Sequence, residues 1–373
     1  MTLGWAFHCS VTYPHRWRYW KAWLECILEI MEADWYERLR LDQRRQETCP
    51  GEDVEFPSLQ ESILMMYVNS LRRERKAPLR EILRALFAFA DGTVVDGAVY
   101  KEVFGNETLT PSKNKRKRAQ TLDLDQDQFG DYLDDDDCFS SQNEEPSTPT
   151  KPRPRRRGKP RKTDNPAPRV ASPGLAESVQ IRLRLFDLLS AACHYLPDPF
   201  APLHELYDAF ATSVRGLPLD MFRLFVESHT TPLGNEVYIS LLRYIIDKLL
   251  PTTPDPGSVD PATNDTDGVS VAILEHCFLP FAANKIFVED NAKLSLILEH
   301  MVRSVWNNSH IEYSPTFRQA VERGIEARNE KTRPRKNGRP KATSPAEDAT
   351  RQVLDNSSHN LNILLDLVEM SDC

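Results

Sequence analysis

The chain has 373 residues, 40% of them hydrophobic and 27% charged, with a formal net charge of −8. That length predicts about two to three domains, and an apolar share below the usual ~45–50% predicts that part of the chain lies outside any core. The seven cysteines (Cys9, Cys26, Cys49, Cys138, Cys193, Cys277 and Cys373) form no CxxC pair, so the sequence supports neither a disulfide framework nor a zinc site. No apolar run approaches the ~18 residues that cross a bilayer, and the opening MTLGWAFHCSVTYPHRW has neither the basic n-region nor the apolar h-region of a secretory leader.

In chain order, residues 1–105 form an expected N-terminal, aromatic-rich helical region. It opens abruptly on apolar residues, as if an upstream helix were missing. From Pro14, the residues Trp17, Trp20, Trp23 or Leu24, Ile27 or Leu28, Met31 and Trp35 recur every three to four positions and share one helical face. The tryptophans are expected to pack in a core; lining a binding groove is the competing reading, with His15, Arg16 and Arg18 on the exposed side. Ser58-Leu-Gln-Glu61 has capping-box spacing ahead of a helix lined by Leu59, Ile63, Tyr67 and Leu71. A third helix starts near Pro78, turns Leu79, Ile82, Leu83, Leu86 and Phe89 inward, and is expected to stop at Gly92.

Residues 106–174 change character. Between Leu122 and Glu145 there are ten acidic residues and no basic one, and from Lys151 to Lys162 eight of twelve are Lys or Arg. Such a segment buries too little apolar surface to offset its ordering entropy, so a disordered acidic and basic linker is expected. Within its acidic part, Phe129, Tyr132 and Leu133 read as a short docking motif for a partner groove.

The helical pattern returns over 175–327. Val179, Leu183, Phe186, Leu189 and Cys193 mark one face of its first helix, and Ile181, Leu185, Leu188 and Ala192 a second, so that helix is expected to be buried all round. Helices then follow at 203–214, 219–226, 237–250, 269–286 (kinked or split by Pro280), 290–306 and 315–330. Helix pairs spaced by about 40 residues are compatible with a HEAT-like stack. Residues 328–349 form an expected basic disordered segment and 350–373 a C-terminal amphipathic helix with Leu354, Leu361, Leu365 and Val368 on one side. The expected fold class is therefore all-α: a helical bundle or HEAT-like α-solenoid in two helical regions separated by a long disordered linker. The small first region is expected to need the second to cover its aromatic face.

Charge is unevenly spread. Residues 110–174 contribute +3 and residues 328–341 contribute +6, which leaves −17 on the rest of the chain. An acidic body repels a polyanion, so any nucleic-acid contact is expected from the basic runs. These read RPRRRGKPRK, with Arg153, Arg155, Arg156, Arg157, Lys159, Arg161 and Lys162, and RPRKNGRPK, with Arg335, Lys336, Arg339 and Lys341. Both runs resemble the AT-hook, whose Gly-Arg-Pro core is flanked by basic residues. Gly338-Arg339-Pro340 supplies that core, although Asn337 stands where the motif has a basic residue, and Gly158-Lys159-Pro160 replaces the core arginine with lysine. The resemblance implies an extended segment lying in the narrow minor groove of A·T-rich DNA. The cluster Lys115, Arg116, Lys117 and Arg118, with Arg155–Arg157, also fits a nuclear import signal.

Thr110-Pro-Ser-Lys113 and Thr148-Pro-Thr-Lys151 fit the pattern favoured by cyclin-dependent kinases, and Ser172-Pro173 and Ser344-Pro345 are shorter Ser-Pro sites. Phosphate at these positions, each adding about −1.5 to −2 charge, would oppose importin or DNA binding. The sequence holds no P-loop, dinucleotide-binding, zinc-protease or serine-hydrolase signature, and Cys193-His194 and His276-Cys277 read as core residues. No cofactor, metal, membrane or small-molecule substrate is implied. The expectation is a non-enzymatic nuclear scaffold that holds a nuclear protein complex on helical surfaces. Its basic runs would meet importin and A·T-rich DNA, in a setting of cell-cycle chromosome maintenance or repair. The alternative is a ribosome-biogenesis or RNA-processing factor using the same runs on RNA.

Overall fold

In the computed structural model the described residues are 2–48, 56–90, 100, 102–105, 173–227, 234–250, 253–308, 311, 313–333 and 345–371, and among them every regular element is a helix. Residues 1–107 and 168–373 form one compact unit, so the two helical regions share a core.

Helix α1 (Thr2–Thr12) was not legible as a helix, because Gly4 to Ser10 are all buried and show no polar face. It packs on α2 (Pro14–Thr48), α5 (Pro78–Leu86) and α6 (Pro173–Tyr195). The apolar stripe of α2 resolves to Trp17, Trp20, Leu24, Leu28, Met31, Trp35 and Leu39. Residues at this three-and-four spacing stand above one another on a helix, which turns Trp23 and Ile27 toward its edge.

The capping box expected at Ser58 does not form. Residues Pro57–Gln60 make a single turn, α3, and its exposed amides are satisfied from elsewhere. The buried Asp42 carboxylate on α2 accepts the Ser58 and Leu59 amides at 3.1 Å each. Helix α4 (Ile63–Arg73) is capped instead by Ser62, whose hydroxyl accepts the Met65 amide at 3.3 Å. The expected stop of α5 at Gly92 is also displaced: the helix ends at Leu86, and the chain turns with Phe89 at a φ of +55°.

Helix α6 is buried on both faces, as its two apolar stripes require. Its Arg182 is fully buried and donates to the carbonyls of Leu86, the last residue of α5, and of Ala88 just after it, with its guanidinium 4.2 Å from the Phe7 ring centroid. These bonds satisfy carbonyls that a helix end leaves open. Burial pulls the Arg182 pKa down to about 9, which still leaves it charged at neutral pH.

Next come α7 (Leu203–Arg215), α8 (Leu219–Glu227), α9 (Asn235–Leu249) and two short turns, α10 (Pro256–Val259) and α11 (Pro261–Asn264). The helix expected over 269–286 is much shorter: α12 (Val271–Ile273) runs into a widened turn at Leu274–Phe278 and ends before Pro280. Asn291 accepts the Ala283 amide at 3.0 Å and donates to the Lys285 and Phe287 carbonyls, which holds the following loop open and irregular. Then come α13 (Val288–Asn308), α14 (Pro315–Lys331) and α15 (Pro345–Ser371), so helices enter the 328–349 segment from both sides.

Helix α13 packs against α8 and α9 before it and α15 after it, while α1 packs against α6. A solenoid repeat touches only its neighbours in sequence. These contacts join helices a few places apart in the chain, which an all-α bundle and a HEAT-like stack both allow. Buried Lys293 of α13 donates to the Arg215 carbonyl at 3.2 Å and to the Leu217 carbonyl, closing the C-terminal end of α7 from a distance.

Candidate partner-binding groove

Two apolar cavities adjoin on the N-terminal half of the unit, and Thr2 and Trp23 line both. The first, about 480 Å³, lies between the first turns of α2 and residues 103–105 and is lined by Arg16, Tyr19, Trp20, Trp23, Val103 and Phe104. The second, about 430 Å³, runs between α1, α2 and α4 and is aliphatic, with Leu3, Ile27, Met31, Ile63, Tyr67 and Leu71 among its lining residues. Burial pushes the Tyr67 phenol up to about 12, helped by the carboxylates of Glu74 and Glu81, so it stays neutral.

Tyr100 brings residues 102–105 to this surface. Its hydroxyl donates to the Arg84 carbonyl at 3.0 Å, and its ring lies where a Cβ on Gly4 would stand, within 2.1 Å. The lack of a side chain at Gly4 thus lets the ring rest on α1. Phe104 then stacks on Trp20 with centroids 5.9 Å apart, and Trp20 meets Trp23 edge-on at 5.5 Å.

The tryptophans therefore divide between the two readings of the sequence. Trp17, Trp20 and Trp35 are core residues, whereas Trp23 is 41% exposed and forms the wall between the cavities. Tyr19 and Phe104, which sequence reasoning did not single out, are 59% and 64% exposed. The signal for Tyr19 was its position one residue off the buried stripe; Phe104 carried none, since its place depends on distant partners, Tyr100 and Trp20 among them. The Trp17 indole and Lys21 both bond the Glu177 carboxylate, at 3.3 and 3.2 Å, tying α2 to α6. Lys21 first, then Trp17, holds that carboxyl below the usual carboxylate range.

A third cleft, about 420 Å³, lies between α7, α9 and the loop at 263–269. The Tyr244 hydroxyl donates to Asp267 at 3.1 Å, and burial followed by the Asp267 charge pushes that phenol up to about 12. Among the described residues no group of three or more His, Cys, Asp or Glu side chains stands ready to hold a metal. Cys193 and Cys277 are buried as expected, but His194 and His276 point outward, a correction to the reading of both pairs as core. Burial pushes the Cys193 thiol up to about 12, the opposite of nucleophile activation. Among the described residues no helix is long and apolar enough to cross a membrane.

The residues singled out in sequence for nucleic-acid binding or import, phosphorylation and docking all lie outside the described residues: Lys115–Arg118, Arg153–Lys162, Arg335, Lys336, Arg339 and Lys341; Thr110, Thr148, Ser172 and Ser344; and Phe129, Tyr132 and Leu133. No protein-family model, no curated protein and no solved structure matches this chain.

Proposed function

We propose that this protein is a non-enzymatic nuclear scaffold that holds a protein partner in the apolar groove of α1, α2 and α4 and meets A·T-rich duplex DNA through its basic runs. The observation that carries the reading is the groove itself, an aliphatic trough between α1, α2 and α4 walled at one end by Trp23. Apolar surface left open on a helical body is stabilised when a partner's apolar helix face covers it, at ~25 cal/mol per Å² removed from water. Trp23 and Tyr67, which line it, are of the residue types that concentrate binding energy at interfaces. The nuclear setting, import, proline-directed phosphorylation and a place in chromosome maintenance rest on the sequence motifs.

The DNA half of this reading is tested by changing Arg155, Arg156, Arg157, Arg335 and Arg339 together to Gln. The account expects loss of A·T-rich duplex binding with the helical circular-dichroism signal unchanged. Unchanged duplex affinity in that variant contradicts it.

A further inference from the structure

Beyond the proposed duplex contacts of the basic runs, the geometry points to a second nucleic-acid site, on the folded body: the first turns of α2 together with residues 103–105 bind a short single-stranded segment by base stacking. Single strands present splayed bases that stack on exposed aromatic rings, while Arg and Lys hold the backbone. The folded body is acidic overall, but residues 14–24 carry Arg16, Arg18 and Lys21 and no carboxylate. The neighbouring carboxylates are Glu102, beside residues 103–105, and Glu177, and the exposed rings among these cations are Tyr19, Trp23 and Phe104.

The rings are placed for stacking. Phe104 lies within 21° of parallel to Trp20, so its exposed outer face extends a stack that begins in the core. The Arg18 guanidinium sits 4.6 Å from the Tyr19 ring centroid and donates to the Tyr19 hydroxyl at 2.7 Å, which holds a flat cationic platform at the surface. Lys21 already pairs with Glu177 at 3.2 Å and adds less to the local charge. Further along α2, Glu25 and Glu29 end the favourable field, which limits the site to roughly three bases, one for each of Tyr19, Trp23 and Phe104. A duplex does not fit this chemistry, because its base faces are already stacked within the helix. An acidic protein segment would use the same cations but gains less from the exposed ring faces of Tyr19, Trp23 and Phe104.

The test uses the full chain with every Lys and Arg of both basic runs changed to Gln. It is titrated with fluorescein-labelled oligo-dT and oligo-U of about twelve nucleotides, read by anisotropy and by quenching of tryptophan emission. The expected result is saturable binding that weakens about tenfold with Tyr19→Ala and about tenfold with Phe104→Ala, and is retained by Tyr19→Phe. These side chains are exposed, so circular dichroism is expected to stay unchanged. Absence of oligonucleotide binding in this background, or alanine variants that bind as tightly as their parent, overturns the site. Binding of a Glu- and Phe-containing peptide in place of the oligonucleotides also overturns it and assigns the patch to a protein partner. Duplex binding by the basic runs is read in a separate assay, so either result stands without the other.

Discussion

Arg182 donates to the carbonyl of Ala88, 94 positions earlier in the chain, at 3.0 Å, and so fastens the two helical regions to each other inside the core. It also bonds the Leu86 carbonyl and the Ser178 hydroxyl, and no carboxylate faces it in these bonds. Replacing it with an apolar side chain leaves two buried carbonyls without a donor, each costing about 1–3 kcal/mol. Arg182→Met is therefore expected to lower unfolding free energy by about 3 kcal/mol in urea titration. A variant as stable as the parent would show that the fastening contributes nothing net.

Gly324 of α14 lies against the backbone of the loop at Leu279. A Cβ there would stand 1.8 Å from the Leu279 carbonyl oxygen, which cannot swing away as a side chain does. Arg328 donates to that same carbonyl at 3.3 Å and to Phe281 at 3.1 Å, so a shift of the loop breaks further bonds. Gly324→Ala is expected to destabilise by about 3 kcal/mol, against almost no change for Gly105→Ala, whose surroundings are open. Thermal unfolding of the two variants side by side checks this.

The buried His8 ring stacks on Phe89 with centroids 4.1 Å apart, and its Nδ1 has no hydrogen-bond partner. Burial lowers its pKa from the ordinary 6.5, and burial lowers that of His300 as well. The folded state thus binds these protons more weakly than the unfolded chain does. Their contribution to stability is complete above about pH 6.5 and is lost as pH falls from there through the lowered folded values. The urea midpoint is expected to drop between about pH 7 and pH 5, and His8→Phe should flatten part of that drop. A variant with an unaltered pH profile would remove His8 from the account.

Ile27 and Ile63 face the aliphatic groove at its rim and carry little of the core. Ile27→Asp with Ile63→Asp is expected to leave thermal stability within about 1 kcal/mol of the parent while abolishing partner capture by the groove. Co-purification that survives the double change would place the partner elsewhere.

The all-α fold and most helix positions were readable in the sequence, because apolar spacing decides which face of a helix is buried. α2 and α6 show this best: one has a single stripe, the other two. α1 was not readable, since a segment buried on every side has no polar face to give a period. The loop after α12 was missed for another reason: Asn291, Arg328 and Lys331 hold it, and none is near it in a way that local pattern reveals. The groove was half legible. The spacing placed the tryptophans on α2, but whether Trp23 meets core or water depends on α4 and on Phe104, whose segment follows the Tyr100 anchor on Gly4.

Salt titration of the wild-type chain against A·T-rich duplex, G·C-rich duplex and RNA tests the central claim most directly. The account predicts a steep log–log dependence on salt together with tighter binding to A·T-rich duplex, because counterion release and a narrow minor groove act together. No duplex binding at about 100 mM salt, or equal affinity for all three nucleic acids, would contradict it.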